Sequence, residues 1–193
     1  MSVQERRERE RAERHRLIVR AAQEMAEAEG WESVTTRRLA DRVEYSQPVL
    51  YSHFKGKDAI VAAVAQDGFG ELAGLLRKAR TARPAPEEAL RAVAGAYLDF
   101  ARERPALYDA MFVQHVDVTL GTGERTEPLQ EAFGEFVSAL EPLAGQRDVE
   151  TLAEVTWGSL HGLATLVHGH RLRPGHADAR LDLLLTPIIE AGG

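Results

Sequence analysis

Gln47, Pro48 and Val49, followed by Tyr51, Ser52 and His53, set small and polar side chains around apolar Leu50 and Phe54. A glutamine amide can pair with adenine through two hydrogen bonds, and a valine methyl can lie against a thymine methyl. Thr35, Thr36, Arg37, Tyr51, His53 and Lys57 can donate to phosphate oxygens, and Ser46 and Ser52 complete the candidate DNA-binding set. Together they suit recognition of duplex DNA. From Ser33 to Lys57 there are five basic residues and two acidic ones, although the whole chain of 193 residues carries a formal net charge of -6. Residues 1–57 have a net charge of +2 and residues 58–193 a net of -8. A mildly basic head on an acidic body points to one anion-facing surface and away from a protein that coats nucleic acid all over.

A second set is aromatic. Tyr97, Phe100, Tyr108, Met111, Phe112, Phe133, Phe136 and Trp157 fall on helical stretches of the body, interleaved with the polar groups of Tyr97, His115, Trp157 and His161. His161 follows Trp157 by one helical turn, so both can face one space. Tyr97, Phe100, Met111, Phe112, His115, Trp157 and His161 are therefore the candidate lining for a moderately hydrophobic, uncharged or weakly polar effector. Two readings stay open for His161: a ligand contact, or a buried histidine with its hydrogen bonds satisfied.

Other chemistry finds little support. With no cysteine there is no disulfide, thiolate metal site or cysteine nucleophile. The seven histidines lack metal-ligand spacing, and no phosphate-binding glycine loop or serine elbow occurs. The expectation is a protein that is not an enzyme, with no cofactor and no metal. No apolar run of about 18 residues and no secretory leader is found, which points to the cytoplasm and to no membrane partner.

The elements that must position these groups are helical nearly throughout. Glu5 to Glu29 carries Leu17, Ile18, Ala21, Ala22, Met25 and Ala26 as an apolar stripe, and Gly30 ends it. Its first turns, rich in Arg and Glu, read either as a solvated, salt-bridged helix end or as an arm for the minor groove. Thr35 suits the N-cap of Thr36 to Val43, and Ser46 that of Gln47 to Phe54, with Pro48 in the first turn. Two helices of about eight residues joined by about three form a helix-turn-helix, closed by Leu39, Ala40, Val43, Leu50 and Phe54. Further helices are expected over Asp58–Arg80, Glu87–Glu103, Pro105–His115, Pro128–Leu143, Asp148–Gly169 and Asp178–Glu190. Asp117 to Thr126 reads as the least ordered stretch.

Ala21-Ala22, Gly30, Val34-Thr35, Leu39-Ala40 and the run Leu50-Tyr51-Ser52-His53-Phe54-Lys55-Gly56-Lys57 resemble the DNA-binding domain of the TetR family of bacterial transcription regulators. The likeness covers residues 14–62. Trp157-Gly-Ser-Leu-His161-Gly162 also resembles the Trp…His-Gly signature of one class of C-terminal domain in that family. The resemblance implies phosphate clamping by Tyr51, His53 and Lys57 and base reading by Gln47, Pro48 and Val49. It departs at Glu44, where the family usually has glycine; a left-handed backbone there costs glutamate about 1 kcal/mol.

The fold class expected is all-α: a three-helix head at residues 1–57 and a larger helical bundle at residues 58–193, about nine helices in all. In such regulators the bundle binds a small molecule and forms a homodimer. Leu152, Ser159, Leu163 and Leu166 on one helix, with Leu181, Leu184, Leu185 and Ile188 on the last, are the expected dimer surface. A monomer that covers both helices with its own chain is the alternative. The partners expected are a palindromic double-stranded operator, a second copy of the chain and an effector of unknown identity. The resulting function is that of a ligand-responsive regulator, of repressor type. A helical ligand-binding protein without specific DNA binding, and an activator, are the alternatives.

Overall fold

The computed structural model describes residues 2–114 and 127–192. Within them lie nine α-helices, two one-turn 3-10 segments and no strand, in agreement with the all-α expectation. The chain folds as two compact units. The first is formed by Met1–Gly68 with the stretch that starts at Ala106, and the second by Phe69–Pro105 with the C-terminal helices.

In the first unit α1 spans Val3–Glu29, starting two residues earlier than expected. Ser2 and Glu5 form a reciprocal capping box there, each side chain accepting from the other's backbone N–H. The apolar stripe buries Ile18, Val19, Ala22, Met25 and Ala26. Gly30, at φ 81°, ends the helix, and a 3-10 turn follows at Trp31–Ser33. Next come α2, Thr36–Arg42, and α3, Gln47–His53. Leu39, Ala40, Leu50 and Phe54 join the α1 stripe in one core. Burial of each large side chain stabilises by about 1.5–3 kcal/mol, so a helix of seven residues, too short to persist alone, is held by packing.

The long helix α4, Lys57–Thr81, contributes its start to the first unit and its remainder to the second. It is the one helix among the described residues long and apolar enough to cross a bilayer. Asp67 and Glu71 interrupt it, and Ile60, Val61, Val64, Leu72 and Leu76 are buried in the protein, as in a core helix. Later in the chain α6, Pro105–Phe112, docks within the first unit. The Glu27 carboxylate accepts from the backbone N–H groups of Ala106 and Leu107 at 3.2 and 3.1 Å, which caps the positive end of α6. The Trp31 indole donates to the Ala106 carbonyl at 2.8 Å.

In the second unit α5, Pro86–Glu103, is central. It packs against α7, Glu127–Leu140, α8, Val149–His168, and α9, Ala177–Glu190. A 3-10 turn at Glu141–Leu143 follows α7, and Asp148 caps α8 by accepting from the Thr151 backbone at 2.8 Å. Glu135 is buried on α7 and accepts from Arg77 and Arg80 of α4, both at 2.8 Å. Two guanidiniums leave that carboxylate no uncompensated charge. The stretch expected to be least ordered, Asp117 to Thr126, and His115 lie outside the described residues.

Candidate nucleic-acid interface and effector region

The turn between α2 and α3 is built without glycine. Glu44 adopts φ 57°, the left-handed backbone that the sequence pattern requires at this position. The Tyr45 N–H donates to the Ala40 carbonyl at 2.9 Å and the Glu44 N–H to the Asp41 carbonyl at 3.3 Å. These bonds close the end of α2 in the manner of a glycine cap and offset the side-chain cost. Thr35 caps α2 as expected, its hydroxyl accepting from the Arg38 N–H at 3.2 Å. Ser46 occupies the N-cap position of α3, but its side chain makes no capping hydrogen bond. Pro48 in the first turn already removes one donor that would need a cap.

With α3 fixed in this way, Ser46, Gln47, Pro48 and Val49 are exposed, as are Tyr51 and Ser52, while Leu50 is fully buried behind them. The Tyr51 hydroxyl lies 3.4 Å from the Thr36 hydroxyl, so the two sit side by side across α2 and α3. Ser52 donates to the Val49 carbonyl at 2.6 Å. Thr35 and Arg37 are exposed at the start of α2.

His53 and Lys57 are placed differently from the other candidates. Among the described residues the buried His53 Nδ1 has no hydrogen-bond partner, and the ring is half-buried. Burial, then the charges of Arg11, His15 and Arg14, hold its pKa below the ordinary histidine value, so near neutral pH the ring carries no charge toward phosphate. Beside it His15 stacks on Phe54 at 4.4 Å between ring centroids. The Lys57 ammonium donates to the Trp31 carbonyl at 2.6 Å. Arg38 binds the Glu29 carboxylate through both oxygens and the Ser33 carbonyl, and Arg42 pairs with Glu24 at 3.4 Å.

The body candidates separate. Tyr97, Phe100, Trp157 and His161 lie in the second unit, and Met111 and Phe112 in the first. The Trp157 indole donates to the Tyr97 hydroxyl at 3.1 Å, and that hydroxyl lies 3.5 Å from His161 Nδ1. Tyr97 is fully buried and Phe100 nearly so, with Phe136 edge-on to Tyr97 at 5.7 Å. Burial lowers the His161 pKa. This is a packed, hydrogen-bonded cluster. Met111 packs against Gly68 of α4, and Phe112 lies 4.7 Å from Tyr108, ring to ring.

A groove of about 420 Å³ opens between α5, α8 and α9. Sequence reasoning did not single it out, because its leucine, alanine and valine floor looks like any helix-packing surface and its polar rim is gathered from α5, α8, α9 and the loop between the last two. Of the expected dimer residues, Leu166 is exposed, and Leu152, Ser159, Leu163, Leu181, Leu184 and Ile188 are half-buried. Leu185 is fully buried within the chain itself, so it belongs to the core and not to an outer surface. The neighbouring Leu183, 80% exposed, and Val155, 62% exposed, take the outward places.

Known proteins share both the sequence and the fold. Residues 18–64 match the family described as bacterial regulatory proteins, tetR family, and residues 90–188 match the tetracyclin repressor-like C-terminal domain. The HTH-type transcriptional regulator YobS of Bacillus subtilis is 31% identical over 154 residues, which are 80% of this chain and 75% of YobS. The class C tetracycline repressor of Escherichia coli is 47% identical over 49 residues, 25% of this chain and 22% of that protein. A solved structure from Rhodococcus sp. RHA1 shares the fold with a TM-score of 0.77 at 22% identity, covering 93% of this chain and 94% of that one. The helix-turn-helix head, the match to the C-terminal domain and the relationship to YobS together make the chain a member of the TetR family of transcriptional regulators.

Proposed function

We propose that the protein is a ligand-responsive repressor that binds a near-palindromic operator as a homodimer. The observation that carries this reading is the outward row of α3. Gln47, Pro48 and Val49 are exposed beside Tyr51, on a helix whose opposite side is locked by Leu50. Gln47 reads a base edge, Val49 and Pro48 present methyl and methylene groups to thymine, and Thr35, Thr36, Arg37, Ser46, Tyr51 and Ser52 hold phosphates. Lys57 joins them by turning from the Trp31 carbonyl.

DNA recognition belongs to residues 1–57, and effector binding and dimerisation to residues 58–193. Two heads related by a twofold axis fit half-sites about 34–36 Å apart. An effector shifts the equilibrium between DNA-competent and incompetent forms only by its difference in affinity for the two. Helix α4, common to both units, is the covalent route for that coupling. The protein acts in the cytoplasm, as a regulator and not as an enzyme, without a resident cofactor.

Fluorescence anisotropy on a labelled fragment of the protein's own promoter tests the assignment. The wild type binds. Tyr51→Ala with Arg37→Ala weakens binding on all sequences alike, whereas Gln47→Ala changes the order of preference among operator variants. If Gln47→Ala left that order untouched, the base-reading assignment would be overturned.

A further inference from the structure

The groove between α5, α8 and α9 has a chemistry of its own. Its floor is apolar, formed by Leu98, Ala101, Leu163, Ala164 and Val167, with Ala177 at an exposed lip. Its rim carries Arg102, Arg180, His168 and His170. The one acid on the lining, Asp99, is bound by Arg102 at 2.9 Å, and Arg102 also reaches Glu103 at 2.8 Å, so that guanidinium is neutralised. Arg180 is different. Among the described residues its guanidinium meets the Arg173 backbone carbonyl and no carboxylate. It is the anion-ready group of the rim.

His170 is placed on the same rim by the end of α8. Its backbone is left-handed, at φ 54°, where glycine is favoured. Its N–H donates to the Val167 carbonyl and the Arg171 N–H to the Leu166 carbonyl, the bonding that usually surrounds a glycine after a helix. Gly169 stands one position too early to serve. These bonds close the end of α8 as those at Glu44 close α2, and they hold the His170 imidazole on the edge of the groove.

We infer that this groove is a binding site for an amphipathic monoanion, with an apolar body on the floor and its anionic head at Arg180, flanked by His168 and His170. A volume of about 420 Å³ is within the range of drug-sized ligand sites. Such a molecule is a candidate effector for the regulation proposed above. Binding and regulation are read separately, so failure of one is distinguishable from failure of the other.

The probe is 8-anilinonaphthalene-1-sulfonate, titrated by fluorescence into the full-length protein. Its neutral counterpart, N-phenyl-1-naphthylamine, has the same body without the sulfonate. The expected result is one saturable sulfonate site per chain, weakened at least tenfold by Arg180→Gln and lost in Ala177→Trp, which fills the groove at an exposed lip. Arg180→Gln leaves the neutral probe's affinity unchanged. Circular dichroism and molar mass in solution confirm that both variants fold and assemble as the wild type. Absence of saturable binding, as when a second copy covers the groove, overturns the inference. So does sulfonate affinity that is indifferent to Arg180 or to Ala177→Trp. Anisotropy on promoter DNA with the probe bound then reports regulation alone.

Discussion

Three glycines of α4 provide a test in which one chemical change is given opposite signs by the structure. A β-carbon built on Gly68 would lie 2.7 Å from Met111 Sδ and 2.8 Å from Leu107 Cδ1, both on α6. Carbon–carbon contacts are comfortable at about 3.5–4.0 Å, so each neighbour must retreat by nearly 1 Å. Neither has room, because Leu107 is 1% exposed and Met111 5%. Overpacking of this kind costs about 1–3 kcal/mol. Replacing a helical glycine by alanine returns about 0.5–1 kcal/mol of backbone entropy. The net for Gly68→Ala is a loss of about 1 kcal/mol. Gly70 and Gly74 are exposed on the same helix with nothing within 4 Å of the added carbon. Gly70→Ala and Gly74→Ala therefore gain the entropy alone, about 0.5–1 kcal/mol each. The two classes should differ by about 2 kcal/mol, or about 4–8 °C in Tm for a chain of this size. Thermal denaturation by circular dichroism at one protein concentration reads the difference directly. In a Met111→Ala background the penalty at Gly68 should shrink, a coupling measurable in a double-mutant cycle. A Gly68→Ala protein that melts above the wild type, as Gly70→Ala should, would refute the packing of α6 on α4.

The two helix caps of the head separate in the same way. Thr35→Ala, which loses the hydroxyl bonded to the Arg38 N–H, should cost about 1 kcal/mol, and Ser46→Ala only a few tenths, by urea denaturation. The histidines set a pH dependence. His53 and His161 have pKa values lowered on folding, by burial foremost. The unfolded chain then binds more protons than the native one just below about pH 6.5, so stability is full above that pH and declines as the pH falls toward the folded values. Tm should drop between pH 7.5 and pH 5.5, and less steeply in His53→Gln; equal slopes would show that His53 does not contribute. Leu183, 80% exposed in the single chain, should tolerate Leu183→Glu without loss of fold. If the outer faces of α8 and α9 form the dimer, light scattering should report a lower mass for this variant at micromolar concentration, and an unchanged mass would place the interface elsewhere.

Local chemistry was legible in the sequence, and long-range contacts were not. The caps at Thr35 and Asp148 and the helix end at Gly30 follow from residue type and neighbours within one turn. The capping box of Ser2 and Glu5 carried the same kind of signal, yet the charged run that follows obscured the true helix start. The left-handed backbone at Glu44 follows from the family resemblance, which places glycine at that position. The aromatic candidates show the limit. Nothing within one turn tells a wall of a cavity from a packed core, and Tyr97 proves to be fully buried with its hydroxyl bonded by Trp157. Helical periodicity placed Leu181, Leu184, Leu185 and Ile188 on one stripe but could not say which edge of it turns inward. Packing against the other helices of the second unit buries Leu185 and leaves Leu183 outside. Glu135 lies among apolar neighbours, where a charge looks out of place until Arg77 and Arg80 are found beside it.

The ion pairs of the head bear on how steeply DNA binding should depend on salt. Each cation that meets a phosphate releases counterions, and log K falls with log salt at about -0.9 per contact. Arg38 is held by both oxygens of Glu29 and by the Ser33 carbonyl, and Arg42 by Glu24. Arg37 and Lys55 are exposed cations near α3 for which the described residues show no ion pair. Two such contacts per head, four in a dimer, give a slope of about -3.6. If Lys57 leaves the Trp31 carbonyl for a phosphate in each head, the slope becomes about -5.4. Neutral donors such as Thr35, Thr36 and Tyr51 add affinity without adding slope. Anisotropy titrations from 50 to 300 mM salt distinguish these values, and Lys57→Gln should lower the slope by about 2 only in the second case. A slope well beyond -5.4 would refute this charge assignment. It would mean that arginines of the first turns of α1 reach the DNA, and the arm reading of that segment would then displace the solvated-helix one.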